Sequence, residues 1–352
     1  MKILLVRLRQ IGDVVFTTPA IRALRRHFPD ARLTYVVEPG AAPVVSGNPA
    51  IDEVCVAPRG RGIEGFRRDV ALGMRLRRDR YDVAIDFHGG PRASLLTWLS
   101  GAPVRVGYEI LGRSWMYTRR VARPRTLRAR HSVENQWDVI APLGIAPPDR
   151  GRDPVEMRCD PSAARDVDRR LAEHGVQPAD RLVVIHVSAG NPFRRWPATS
   201  FGEVASALVT GRQDVRVIVT SGPSEAGAAS EVIADARGRV PASAQRRILS
   251  CGEFSLAELR ALVERAALYV GGDSGPMHIA ATSTVPVVAL YGPTLPARSA
   301  PWRDAAQPSA AVEVDGLACR PCDQRVCVPG DFRCLTLISS AQVVEAARRL
   351  LD

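Results

Sequence analysis

Four short segments concentrate residue types that can hold an anion or carry charge into a ligand site. The densest is Gly271-Gly272-Asp273-Ser274-Gly275-Pro276-Met277-His278, which follows the apolar run Leu268–Val270 and opens an expected helix over 275–283. Glycines before a helix start leave N–H groups free, an arrangement suited to a diphosphate. Asp273 brings charge to the turn, Ser274 can cap the helix or contact phosphate, and His278 lies about one turn further. The bland alternative is a capped helix with a buried histidine. In Ser188-Ala189-Gly190-Asn191-Pro192-Phe193-Arg194-Arg195-Trp196-Pro197, a small-residue loop is joined to two guanidinium groups, and Pro197 suits the first turn of a helix. The alternative there is a solvated basic loop. In Ser221-Gly222-Pro223-Ser224-Glu225, the acid Glu225 could accept from ribose hydroxyls or simply start a helix. In Arg9-Gln10-Ile11-Gly12-Asp13-Val14, Gly12 is expected to permit a tight turn and Asp13 to fall near a helix N-terminus, as a ligand-facing carboxylate or an ordinary cap.

Cysteine adds a fifth pattern. Cys319, Cys322, Cys327 and Cys334 follow C-x2-C-x4-C-x6-C. Four thiolates can close a tetrahedral zinc site, but two paired C-x-x-C units are absent. A structural metal, reduced thiols and a local disulfide all stay open, and no catalytic metal or cofactor is expected. Cys55, Cys159 and Cys251 read as small core residues.

The elements that must position these groups alternate between short β-branched runs and amphipathic stretches, as in parallel sheets covered by helices. Strands are expected at Ile3–Arg7, Leu33–Val37, Glu53–Ala57, Val83–Phe87 and Val104–Gly107, with helices near 13–28, 64–79 and 91–100. The arginine-rich Arg113–Arg130 reads as an exposed loop or irregular helix. Prolines and Gly151 mark Ile145–Pro161 as a boundary, giving domains 1–157 and 158–352. The second series has strands Leu182–Val187, Val215–Ser221, Leu268–Gly271 and Val287–Tyr291, with helices near 161–174, 199–210, 224–236, 255–265 and 275–283. A terminal helix at 340–351 is a candidate to pack back on the first domain. The fold class is α/β, two similar units whose ligands bind beyond the strands' carboxyl ends.

The 352 residues are 46% apolar and contain no run near the roughly 18 apolar residues that cross a bilayer. The opening Met1–Arg7 is too short and too quickly polar for a signal peptide, so a cytoplasmic protein is expected. The net charge of +11 is unevenly spread: residues 1–155 hold 26 Lys and Arg against 15 Asp and Glu, while residues 156–352 hold 22 of each. Arginine forks fit phosphates and carboxylates, so the first half is expected to face a polyanion. A genome that favours arginine explains the choice over lysine but not the asymmetry. Nucleic acid is not the expected partner, because zinc-finger spacing and an aromatic RNA-binding strand are both missing.

In order and content these segments resemble the heptosyltransferases of glycosyltransferase family 9. The likeness runs from ILLVRLRQIGDVVFTTPAIRALRRHFP through VVEPGAAPVVSGNPAID and RRWPATSF to GGDSGPMHIAATSTVPVVALYGPT and the cysteine segment. The resemblance implies a GT-B fold, two Rossmann-like domains facing across a cleft, with the acceptor on the first and the nucleotide sugar on the second. It implies inverting transfer of heptose from ADP-heptose to the lipopolysaccharide inner core. The implied partners are that donor, a lipid A-core glycolipid and, peripherally, the cytoplasmic face of the inner membrane. Asp13 matches the candidate general base; Arg194, where lysine is frequent, matches a diphosphate contact; Glu225 matches the ribose acid. Asp273, Ser274, Gly275 and His278 match the donor loop. Another nucleotide sugar or acceptor, or a sugar-nucleotide epimerase of similar build, are the alternatives.

Overall fold

The computed structural model describes residues 1–123, 130–222 and 225–352. Pro223, Ser224 and part of the Arg113–Arg130 segment lie outside the described residues. The chain divides into two compact units, Met1–Arg158 and Cys159–Asp352.

The first unit carries strands β1 (Lys2–Val6), β2 (Arg32–Val37), β3 (Glu53–Val56), β4 (Val83–Asp86), β5 (Val104–Tyr108) and β6 (Arg119–Val121). Their order is β3-β2-β1-β4-β5-β6, and every pairing is parallel. The second unit carries β7 (Arg181–His186), β8 (Val215–Thr220), β9 (Ile248–Leu249), β10 (Leu268–Gly272), β11 (Val287–Tyr291) and β12 (Ser309–Glu313). Their order, β12-β11-β10-β7-β8-β9, is again parallel throughout and follows the same winding. In each sheet the winding reverses beside the first strand, between β1 and β4 and between β7 and β10. Such reversals leave a crevice at the carboxyl ends, where ligands of doubly wound sheets bind.

Register makes these crevices specific. Val6 pairs with Asp86, so the loops after β1 and β4 emerge side by side. Gly271 pairs with His186, which does the same for the loops after β7 and β10. Beneath them the sheets are apolar on both faces, as parallel sheets covered by helices must be. Leu4, Val6, Val36 and Ala84 meet Leu76 of the helix Gly62–Arg78 and Ala93 and Leu96 of the helix Pro91–Leu99 in one core cluster. In the second unit Val183, Ile185, Val217 and Val270 meet Phe201 and Val204 of the helix Ala198–Gly211. The terminal helix Ser340–Leu351 places Val343, Ala346, Ala347 and Leu351 in that same cluster, so it packs within the second unit. A capping box of Ser339 and Gln342 starts it.

Several features differ from the sequence expectation. The helix expected over 13–28 is two helices, Ile11–Val15 and Thr18–His27. Pro19 lies in the first turn of the second, and the Thr17 hydroxyl donates to the Val14 carbonyl at 2.7 Å at the break. The Arg113–Arg130 segment holds a 3-10 turn, Ser114–Met116, and the edge strand β6. The helix at 275 ends at Ala280. Among the described residues, no helix is long and apolar enough to cross a membrane.

Candidate active site

Asp13 lies in the first turn of the helix Ile11–Val15, which follows β1. Its carboxylate caps nothing. It is ion-paired to Arg7, the first residue beyond β1, whose guanidinium also donates to the Phe87 carbonyl at 2.7 Å. Arg7 is buried while Asp13 is about one-third exposed, so a fixed cation holds a reachable carboxylate. The tight turn expected of Gly12 is made instead by Gln10, whose φ of 70° is sparsely populated by side chains other than glycine, while Gly12 sits inside the helix. Beside this turn, the buried Asp86 accepts from the His88 and Gly89 N–H groups, each at 2.8 Å, and from Tyr117 at 2.6 Å. Burial raises the Asp86 carboxyl although these hydrogen bonds oppose it. Burial, then Arg7 and Arg9, hold the His88 imidazole down at about 4, so it is neutral at pH 7.

In the second unit the β7 and β10 loops converge through side chains. Arg194 donates to the Asp273 carbonyl at 3.0 Å and lies 3.3 Å from its carboxylate. Thr294, after β11, donates to the same carboxylate at 2.6 Å, and His278 Nε2 lies 3.4 Å from the other carboxylate oxygen. Burial would raise the Asp273 carboxyl, but His278, Arg194 and Thr294 together lower it to about 2. Ser274 occupies the N-cap of the helix Gly275–Ala280, yet its hydroxyl makes no cap bond and is buried without a hydrogen-bond partner among the described residues. Of the capped-helix alternative, the cap bond is absent but the buried histidine is present, His278 being 5% exposed. Gly272 lets the Arg194 backbone approach closely, since a Cβ there would sit a tight 3.2 Å from the Arg194 carbonyl.

Arg194 is more enclosed than a solvated basic loop would be. Its Nε donates to Gln324 at 2.8 Å, and Gln324 also accepts from Asn191 at 2.7 Å. Gln324 comes from the cysteine segment and has a φ of 59°. Glu225, half-buried at the start of the helix Ala226–Gly238, pairs with Arg195 at 2.5 Å. A cavity of about 420 Å³ opens beside this pair, lined also by Val187, Trp196, Phe201 and Val232. Thus the structure brings Arg194, Asp273, Ser274, Gly275 and His278 together, with Glu225 linked through Arg195. Arg7, Thr294 and Gln324 are additions that the sequence reading did not single out.

All seven cysteines are free thiols. Among the described residues no group of three or more His, Cys, Asp or Glu side chains is placed to hold a metal ion. The triplet Asp166-Val167-Asp168 lies in the helix Pro161–Glu173 with both carboxylates ion-paired, Asp166 to Arg169 at 2.9 Å and Asp168 to Arg265 at 2.8 Å.

Two doubly wound parallel units of this kind form the GT-B fold, a fold of glycosyltransferases. Residues 70–330 match the model of glycosyltransferase family 9 (heptosyltransferase), and the chain belongs to that family. It is 27% identical over 344 residues to lipopolysaccharide heptosyltransferase 3 of Escherichia coli, covering 97% of this chain and 96% of that protein. The crystal structure of a family 9 glycosyltransferase from Veillonella parvula superposes with a TM-score of 0.84 at 25% identity, over 99% of this chain and 97% of that one. The E. coli heptosyltransferase WaaC with ADP superposes with a TM-score of 0.70 at 20% identity, over 99% of this chain and 100% of that one. Membership of a transferase family sets aside the epimerase alternative.

Proposed function

We propose that this heptosyltransferase transfers heptose from ADP-heptose, with inversion, to the inner core of lipopolysaccharide. The carrying observation is the convergence of the Arg194 cation, the free Ser274 hydroxyl and the first-turn N–H groups at the β7–β10 reversal. Such a cradle suits a diphosphate. The names of the relatives, which include a lipopolysaccharide heptosyltransferase and a heptosyltransferase with ADP, support the same donor and acceptor class.

In this reading Glu225 receives the ribose hydroxyls, exchanging part of its bond to Arg195 for them. Asp13, oriented by Arg7, takes the proton of an acceptor hydroxyl. The oxygen attacks the anomeric carbon on the face opposite ADP. The bond from that carbon to the diphosphate breaks, and its electron pair leaves with ADP. Arg194 and the loop N–H groups stabilise the charge that develops there. Around Asp13, Arg9 and the Arg113 and Arg123 guanidinium groups near Gly89 offer partners for acceptor phosphates or sugar acids. An acceptor carried on lipid would place the reaction at a membrane surface.

The test is incubation with ADP-heptose and core glycolipid from a heptose-deficient strain, followed by mass spectrometry and NMR of the new anomeric centre. Heptose gained with the configuration opposite to the donor is expected. Transfer with retention, or with another nucleotide sugar in preference, would refute the reading.

A further inference from the structure

The helix Gly62–Arg78 has a buried side and a side left exposed among the described residues. Gly65, Gly73 and Leu76 face inward, Gly73 so closely that a Cβ there would lie 2.5 Å from Leu99. Outward, Ile63, Phe66 and Met74 are 75%, 58% and 47% exposed, with the partly covered Val70 between them. Their spacing of three, four and four residues makes one continuous apolar stripe along the helix. The neighbouring helix Pro91–Leu99 and the turn Ser114–Met116 extend it: exposed Trp98 and Trp115 stack edge to face at 5.4 Å. Leu111, just before that turn, is 99% exposed.

Arginines flank the stripe. Arg61, Arg67, Arg68, Arg77 and Arg78 are all exposed, and of these only Arg68 is ion-paired among the described residues, to Glu64. Among the described residues, the exposed large apolar side chains on the second unit are Val326, Val328 and Leu337, with no aromatic ring among them. The apolar stripe, the tryptophan pair and the basic flanks thus coincide on the unit that carries the charge excess.

We propose that this face docks on an anionic phospholipid surface. Tryptophans and short apolar stripes settle at the headgroup level, and guanidinium groups bind phosphodiesters through paired N–H donors. Neither signal alone gives firm attachment, but an amphipathic helix combined with a polybasic rim does. A second copy of the chain is a poorer occupant, because a two-fold contact would set arginines against arginines. The proposal stands independently of the donor assignment, since it concerns a different face and needs no sugar.

The experiment is co-sedimentation of the full chain with sugar-free vesicles. One set mixes phosphatidylethanolamine with phosphatidylglycerol, and the other is phosphatidylcholine alone. Wild type should pellet with the anionic vesicles and stay in solution with the neutral ones. Phe66→Glu/Met74→Glu and Arg67→Gln/Arg78→Gln should each lower the bound fraction about tenfold, because each removes one of two required signals. Their thermal melts should match wild type, since the side chains are exposed, and Val328→Glu should bind as wild type does. Absent wild-type binding at low salt, or double variants that bind the anionic vesicles as well as wild type does, would overturn the proposal. So would a change of oligomeric state in Phe66→Glu/Met74→Glu with vesicle binding intact, which would make the face a contact between copies.

Discussion

A carboxylate that takes a proton from a hydroxyl must be held at a fixed angle and still be reachable. For Asp13 both follow from a buried arginine bonded on one side to the carboxylate and on the other to the Phe87 backbone. Asp13→Asn keeps the shape and a partner for Arg7 but cannot accept the proton. Turnover should fall about 100-fold or more, the usual scale for a lost general base, while ADP affinity stays near wild type. Turnover within a few-fold would remove Asp13 from the chemistry. Much of this site was legible in the sequence because loop ligands carry local signals: glycines, a hydroxyl and charges beside an apolar run. Arg7 was not, since at a strand end it reads as one more arginine in a basic segment. Gln324 was not either, since it meets Arg194 from 130 residues away and nothing local marks it. Its bond to a charged guanidinium carries a testable consequence. Gln324→Ala frees the Arg194 side chain from one of its anchors, so ADP affinity should drop about tenfold, the scale of a hydrogen bond to a charged group. Calorimetric titration giving unchanged affinity would reduce Gln324 to a prop for the cysteine segment.

Among the elements, strands with long apolar runs were legible and edge strands were not. β1, β7 and β10 are buried on both faces and announce themselves by composition. β6 is three residues, two of them arginine; β9 is two residues; β12 is partly exposed. None of these offers a period to read, because each is defined by its neighbour's register more than by its own burial. The β7–β8 pairing also encloses a titratable group. His186, at the end of β7, is buried against Thr220 of β8, with Nδ1 and Oγ1 3.0 Å apart, and burial lowers its pKa to about 4. In the unfolded chain a histidine titrates near 6.5. The folded pKa is therefore the lower one, and between about 6.5 and 4 the unfolded state binds more protons. Stability from the neutral imidazole is fully present above about pH 6.5 and lost as the pH falls towards 4. The loss is about 3 kcal/mol at one pKa unit per 1.36 kcal/mol. Denaturant melts from pH 7 to 4.5 should show wild type losing stability faster than His186→Gln on the second unit's transition. Parallel curves would mean that His186 gains a proton without cost.

For the molecule as a whole, the unequal charge of the two units predicts unequal salt sensitivity for the two substrates. The excess of +11 belongs to the first 155 residues, and the remainder is balanced. Exposed charges are screened over about 8–10 Å near physiological ionic strength, whereas enclosed pairs are screened far less. Arg119 and Arg120 on β6 and Arg67 on the helix Gly62–Arg78 are exposed, as a long-range anion-attracting surface requires. Arg194 is only 30% exposed and tied to Asp273 and Gln324, as a short-range diphosphate contact requires. The KM for a polyanionic glycolipid should therefore rise steeply from low to moderate salt, while the KM for ADP-heptose changes little. Arg119→Gln/Arg120→Gln should raise the acceptor KM and flatten its salt dependence, leaving ADP affinity as it was. The docking face adds a second source of salt dependence, and a water-soluble core oligosaccharide separates the two. Dependence that survives on the soluble acceptor belongs to acceptor recognition, whereas dependence that appears only with vesicle-borne acceptor belongs to the lipid surface. A shallow dependence on both acceptors, unmoved by either pair of arginine substitutions, would leave the charge asymmetry as a product of codon preference acting on a surface that meets no anion.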